Sequence, residues 1–160
     1  MAAPPPVLML LARPPLIALA AILLGLSLDR LVPLGLVLRL SEGLRFALTM
    51  VAALAGAALA IAAVAAFRHA DVSVAHGTPP RLVTDGVFAH TRHPMYLGIL
   101  FGIFALAVSF GSDWMLLTLV AAALALHVRF ALPEEHLLET EFGDEYRRYA
   151  ARVPRYGWKF

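Results

Sequence analysis

Phe46 to Phe67 reads F-A-L-T-M-V-A-A-L-A-G-A-A-L-A-I-A-A-V-A-A-F, a run of 22 residues without a charge. A helix that crosses a bilayer needs about 20 mostly apolar residues, so this stretch predicts a transmembrane helix. Its alanines and Gly56 let neighbouring helices approach closely in lipid, which predicts a span packed against others. Working outward, Met95 to Ser112 is a second uncharged run, of 18 residues. Trp114 to Leu132 is a third, interrupted only by His127 and Arg129. Asp113 alone separates these two, which predicts a tight antiparallel hairpin, and Trp114 suits the interface where indoles concentrate.

The N-terminal stretch from Val7 to Leu28 is apolar apart from Arg13, with Pro14 and Pro15 inside it. It reads as a fourth span with Arg13 reaching back to the near surface. A short surface segment over Val7 to Ala12, leading into a helix from Pro15, fits as well, because proline is tolerated in a first helical turn. A cleaved signal peptide fits worse: no basic residue precedes Arg13 and no small-residue cleavage site follows.

Composition agrees. The 160 residues are 61% hydrophobic and 15% charged, where a soluble domain carries nearer a quarter charged. A mean hydropathy of +0.78 points the same way. The expected fold is therefore all-α: a single polytopic membrane domain over 1–160, with spans near 7–28, 46–67, 95–112 and 114–132. A net charge of +2 is too small to suggest nucleic acid. Cysteine is absent and the six histidines are scattered, so no metal-ligand pattern appears. No strand, phosphate loop or nucleophile elbow is legible, which excludes soluble nucleotide-binding folds.

Four spans put both termini and the segment Arg68 to His93 on one side. That side holds Arg13, Arg68, Arg81, Arg92, Arg129, Arg147, Arg148, Arg152, Arg155 and Lys159; the other holds Arg30, Arg39 and Arg45. This excess predicts an inner or plasma membrane protein with both termini cytoplasmic. On that side Asp71 to His93 forms a long polar loop, and after Pro133 a charged helix runs from about Glu134 to Ala151. Its Leu138, Phe142, Tyr146, Tyr149 and Val153 recur at steps of three and four, an apolar stripe expected to lie on the membrane or on the loop.

Three segments carry candidate chemistry. In Thr91-Arg92-His93-Pro94-Met95-Tyr96-Leu97-Gly98, Pro94 opens a helix whose free N–H groups, with Arg92 and His93, suit an anion such as the carboxylate of a methionine moiety. The same residues also fit an ordinary proline start at a basic helix end. Gly98 and Gly102 share a face, which suits helix packing or a flat ligand against bare backbone. His127 and Arg129 are ionisable groups inside a span, functional candidates that lie near enough to its end to reach water. Glu134 and Glu135 follow Pro133, either as first-turn acids favoured by the helix dipole or as ligands for hydroxyl, ammonium or sulfonium groups. In the tail, Arg148, Arg152 and Arg155 form a solvated face or pair with lipid phosphates or the glutamates.

Taken in order, R-H-P-M-Y-L-G, then H-x6-E-E-x-x-L, then F-G-x-E-Y-x-x-Y-x-x-x-V-P-R resembles the isoprenylcysteine carboxyl methyltransferase and phospholipid methyltransferase superfamily of membrane enzymes. The resemblance spans about Asp71 to Tyr156. It implies S-adenosylmethionine-dependent methyl transfer to a lipophilic acceptor, a membrane lipid or a small molecule, with the cofactor held by roughly 71–157. It implies cofactor contacts from Arg92, His93, Pro94, Tyr96, Gly98, His127, Glu135, Tyr146 and Tyr149. Catalytic roles fall to Glu134, Glu135, Arg152 and Arg155, and no metal is implied. Relatives commonly carry G-P-Y-R where this chain has Gly86-Val87-Phe88-Ala89, a departure that bears on substrate recognition. Two other functions remain in view: an NADPH-dependent membrane reductase related to sterol reductases, and a small four-helix transporter or scaffold.

Overall fold

The computed structural model describes residues 14–70 and 81–157, and every regular element among them is helical. Helix α1 spans Pro14–Leu31, α2 Glu42–His69, α3 Pro94–Phe110 and α4 Asp113–Leu126. A five-residue π turn, His127–Ala131, joins α4 without a break to α5, Leu132–Phe142, and α6 is Asp144–Arg152. Short 3-10 turns occupy Val37–Arg39 and Gly86–Ala89. Three stretches are long and apolar enough to cross a membrane: Pro14–Leu31, Glu42–His69 and Asp113–Phe142; α3 is apolar but shorter. Val7 to Arg13 and Asp71 to Pro80, expected as span and loop, lie outside the described residues.

Local chemistry sets the helix ends. Ser41 caps α2 by accepting from the amide of Leu44, with Glu42 in the first turn and Arg68 in the last, each charge favoured by the helix dipole. Gly111 ends α3 in the left-handed region at φ 67, and Ser112 caps α4 through the amide of Met115 at 3.0 Å. Asp113, whose carboxylate accepts from the amides of Leu36 and Val37 at 2.8 and 2.9 Å, pins the α1–α2 connection to the hairpin. Ser112 donates to Asp29, Trp114 donates to the carbonyl of Val32, and Arg45 donates to that of Ser109. These bonds hold one end of the bundle shut.

Small residues set the packing between helices. A Cβ on Gly56 would lie 2.9 Å from the carbonyl oxygen of Gly98, and one on Gly98 would lie 3.0 Å from that of Gly56, so α2 and α3 touch backbone to backbone. Gly25 in α1 lies as tightly against Met115 in α4, and Thr118 of α4 donates to the carbonyl of Ala21 in α1 at 2.8 Å. Large apolar side chains such as Leu54, Ile61 and Leu124 are more than 60% exposed. Outward leucine is what a lipid-facing surface requires, and small residues inside are what close helix approach requires.

Two expectations change. Pro133 does not open a new helix: α4 runs through it into α5, because the π turn with its Leu132 amide to His127 carbonyl bond accommodates the proline's missing N–H. The charged helix over Glu134 to Ala151 is two helices, broken at Gly143 with φ 51. The break folds the apolar stripe onto itself. Tyr146, Tyr149 and Val153 are buried against Leu82, Leu138 and Phe142, over the loop.

Candidate active site

Glu135 lies in the first turn of α5, where the π turn delivers it beside the start of α3. It is 8% exposed and sits among three cationic or proton-bearing side chains. Its Oε1 accepts from Arg155 Nε at 2.7 Å and lies 2.9 Å from His93 Nε2. Its Oε2 accepts from Arg155 Nη2 at 2.7 Å and lies 3.0 Å from Arg92 Nη1. A carboxylate has about four lone-pair sites, and here all are engaged. The fork of Arg155 meets both oxygens, the bidentate arrangement that makes such pairs strong. The anion that Arg92-His93-Pro94 holds in this structure is thus the protein's own Glu135.

The tail is stitched to the same motif through its backbone. The Arg92 amide donates to the Pro154 carbonyl at 3.0 Å, and the buried Thr91 hydroxyl donates to that of Arg155 at 3.3 Å. Tyr149 donates its hydroxyl to the Phe88 carbonyl at 2.8 Å, and the Phe88 ring tilts onto Phe67 with centroids 5.0 Å apart. Burial pushes the Tyr146, Tyr149 and Tyr156 phenols up from their ordinary value, while the hydrogen bonds to Glu135 raise Arg155 further.

A second set of contacts surrounds Glu134. Its Oε2 accepts from the Tyr96 hydroxyl at 2.7 Å and lies 3.6 Å from His93 Nδ1. The His93 ring therefore stands between the two glutamates. Tyr96 stacks on it at 5.2 Å, and Tyr156 tilts against it at 5.9 Å. Tyr156 also links the deeper histidine to this group, its hydroxyl lying 3.1 Å from His127 Nδ1.

Arg92, His93, Tyr96, His127, Glu134, Glu135, Tyr146 and Arg155 thus gather at one end of the bundle, with Tyr149 anchoring the tail above them and Pro94 starting the helix that carries Tyr96. Gly98 stands apart: its bare face is filled by Gly56, so it serves helix packing and does not line a ligand site. Arg152 is exposed and donates to the Arg148 carbonyl of its own helix, whereas Arg155 lies beyond the helix end. Arg129 is exposed and outside the cluster. Thr91 and Tyr156 were not singled out from the sequence. Tyr156 was legible only as an aromatic following V-P-R, and Thr91 as an ordinary residue before the basic pair.

Beside the cluster a cleft of about 340 Å³ is lined by Arg92, Glu135, His136, Glu139, Tyr146 and Arg147, among others. Arg92 lines this cleft, and its Nε is buried without a hydrogen-bond partner among the described residues. Buried donors are normally satisfied, so this nitrogen is an exception within an otherwise paired cluster. Among the described residues no group of histidine and carboxylate side chains could hold a metal ion.

The family model described as phospholipid methyltransferase matches residues 44–145, more than half of the chain. The matched stretch contains Arg92, His93, Glu134 and Glu135 and stops one residue short of Tyr146. Methanethiol S-methyltransferase 1 of Bradyrhizobium diazoefficiens is 38% identical over 76 residues, covering 48% of this chain and 26% of that protein. Protein-S-isoprenylcysteine O-methyltransferase of Schizosaccharomyces pombe is 38% identical over 79 residues, covering 46% of this chain and 31% of that protein. Protein-S-isoprenylcysteine O-methyltransferase B of Arabidopsis thaliana is 40% identical over 80 residues, covering 46% and 38%. The chain spans between about a quarter and two fifths of the length of these relatives. No solved structure matches it. With its paired glutamates and arginine-histidine-proline helix start inside the matched stretch, the chain belongs to the phospholipid methyltransferase family.

Proposed function

We propose that this chain is a membrane methyltransferase that binds S-adenosylmethionine at the Glu135 cluster and passes its methyl group to a lipophilic acceptor. The observation that carries this reading is the cleft walled by Arg92, Glu135, Glu139 and Tyr146 beside the glutamate cluster. Such a donor set fits the cofactor: a guanidinium for the carboxylate of its methionine part, carboxylates for its ammonium and ribose hydroxyls, and an aromatic ring for its base. A cleft of this volume lies in the range of small-molecule sites. The cofactor, when bound, supplies a methyl group already activated on a sulfonium.

What the protein must add is alignment of the reacting atoms to about 3–3.5 Å and exclusion of water. The tail is suited to the second task. Val153 to Tyr156 is held across the ends of α3 and α5 by Arg155, the Thr91 hydroxyl and the Arg92 amide. The lipid-facing leucines of α4 and α5 put the cluster within reach of an acceptor dissolved in the membrane. The arginine excess at this end supports placing it in the cytoplasm, where a water-soluble cofactor is found.

Titration calorimetry on the full chain in detergent tests the assignment. S-adenosylmethionine is expected to bind and NADPH not to bind. Alanine at Arg92 is expected to weaken binding at least tenfold, the loss expected for charge-assisted hydrogen bonds of about 1.5–3 kcal/mol, and alanine at Glu135 to weaken it by releasing Arg92 and Arg155 from their positions. Unchanged affinity in both variants, or binding of NADPH alone, refutes it.

A further inference from the structure

We infer that the end of the bundle bearing the tail is a docking surface for anionic phospholipid, whose phosphates Arg129, Arg148 and Arg152 hold, so that lipid clamps α6 over the glutamate cluster. This contact holds whether or not the chain transfers methyl groups; its consequence for the cofactor rests on that reading. The arginines at this end divide into two sets. Arg92 and Arg155 pair with Glu135, and Arg147 pairs with Asp144 and Glu139. Arg129, Arg148 and Arg152 are exposed and make no ion pair among the described residues. Arg152 uses one donor for the Arg148 carbonyl, and a guanidinium has five. Arg148 and Arg152 stand one turn apart on α6, off the face where Tyr146, Tyr149 and Val153 are buried. Glu145, the acid on the same flank, is exposed and forms an ion pair with neither among the described residues.

Depth decides what these side chains meet. The uncharged run Phe46 to Phe67 is centred at Gly56, which puts Gly56 near the bilayer midplane and the hydrocarbon boundary about 15 Å away. Gly98 packs against Gly56 and Ala60, and Pro94 begins α3 one turn further on, so the helix starts within about 10 Å of the midplane. Arg68, twelve residues beyond Gly56 in α2, lies about 18 Å from it. The start of α3 is therefore sunk below the phosphate plane. α6 and the tail are stacked on that start through Arg92 to Tyr146, Tyr149 to Phe88 and the Arg92 amide to Pro154. They lie in the headgroup layer, which extends to about 20 Å or a little more. Arg129 is six residues before Glu135, about 9 Å deeper along its helix, and is flanked by the exposed Val128 and Leu132. Its backbone is in hydrocarbon, and its guanidinium must reach up to the same layer. Cations at one level, on two elements and beside lipid-facing side chains, fit a plane of phosphates with acyl chains below. A free phosphate ion offers neither. An anionic leaflet strengthens the contact about fivefold for each arginine near it. Arg152 ends α6 directly before Val153 to Tyr156, so lipid held there restrains the tail that covers the cluster.

Native mass spectrometry of the full chain in detergent, titrated with dioleoylphosphatidylglycerol or dioleoylphosphatidylcholine, tests the contact. The anionic lipid is expected to bind at least about tenfold more tightly. The triple variant Arg129→Gln, Arg148→Gln, Arg152→Gln is expected to lose that preference, and the corresponding triple lysine variant, which keeps the charge, to retain most of it. In detergent without anionic lipid the glutamine variant is expected to unfold at the same temperature as the parent, since all three side chains are exposed. In vesicles with phosphatidylglycerol as about a third of the lipid, the tail of the parent chain is expected to resist chymotrypsin about tenfold longer than in phosphatidylcholine alone, and that of the glutamine variant to gain nothing. Equal affinity for the two lipids, a preference that survives in the glutamine variant, or displacement of the lipid by inorganic phosphate at matched ionic strength overturns the docking surface. Equal cleavage of the parent in the two kinds of vesicle overturns the clamp. All of these leave the cofactor assignment standing, because S-adenosylmethionine binding is read separately in detergent without lipid.

Discussion

Arg152 and Arg155 lie three residues apart in a tail where every arginine looks equally placed, yet they end in different environments. Arg155 follows Pro154, beyond the end of α6, and there its guanidinium reaches Glu135 with two bonds of 2.7 Å. Arg152 is still helical and exposed. Arginine-to-alanine changes separate them. Arg155→Ala is expected to leave a buried carboxylate short of its bidentate partner, to weaken cofactor binding tenfold or more, and to expose the tail to trypsin. Arg152→Ala is expected to alter neither, because it removes only a bond to its own helix. Calorimetry together with a limited-proteolysis time course reads both effects, and equal behaviour of the two variants contradicts the latch. Helical spacing shows that such residues exist. It does not show which one a helix end will swing inward, since that depends on where α6 stops.

At the scale of elements, the π turn at His127–Ala131 decides how the glutamate cluster is presented. One extra residue in a turn rotates everything after it by about 100° relative to an unbroken α-helix. Glu134 and Glu135 come three and four residues after the end of that turn, so it sets which of them meets Arg92 and Arg155 and which meets Tyr96. Deleting Val128, which is exposed, is expected to restore α geometry, keep the helical content by circular dichroism and abolish cofactor binding. Pro133→Ala keeps the residue count, hence the register, and is expected to retain binding; if the deletion binds as well as the parent chain, register is not what places the glutamates. The sequence displays a proline here and so predicts a helix start. Proline also fits inside a helix whose preceding turn is widened, and composition does not distinguish the two. Gly143 likewise reads as one residue in a charged segment, and only its φ of 51 shows that it divides α5 from α6.

The whole molecule carries two unlike ends. One is closed by Asp29, Ser112, Asp113, Trp114 and Arg45 bonding to neighbouring loops and helix ends. The other gathers the glutamate cluster and the tail. The arginine imbalance predicts that the second faces the cytoplasm. The chain contains no cysteine, so single substitutions give clean labels. Arg148→Cys is expected to be shielded from a membrane-impermeant maleimide in intact cells, and Leu34→Cys to be labelled; the reverse pattern inverts the orientation.

The sequence by itself determined the parts that depend on composition and spacing within a helix: an all-helical membrane protein, uncharged runs at α2, α3 and α4, and the Asp113 hairpin; Arg92, His93, Glu134, Glu135 and Arg155 were joined into one set only by the family resemblance. Solvation explains why these were legible. Apolar length is dictated by the thickness of the bilayer and needs no knowledge of neighbours. The tertiary structure alone decided that Gly98 belongs to the packing against Gly56, that Arg152 stays outside, that Tyr156 and Thr91 belong inside, and that Glu135 is saturated while Glu134 keeps a free oxygen. Each of these follows from distances between segments far apart in the chain. Such distances arise from backbone approach, helix register and the point where a helix breaks, none of which a side-chain pattern encodes on its own.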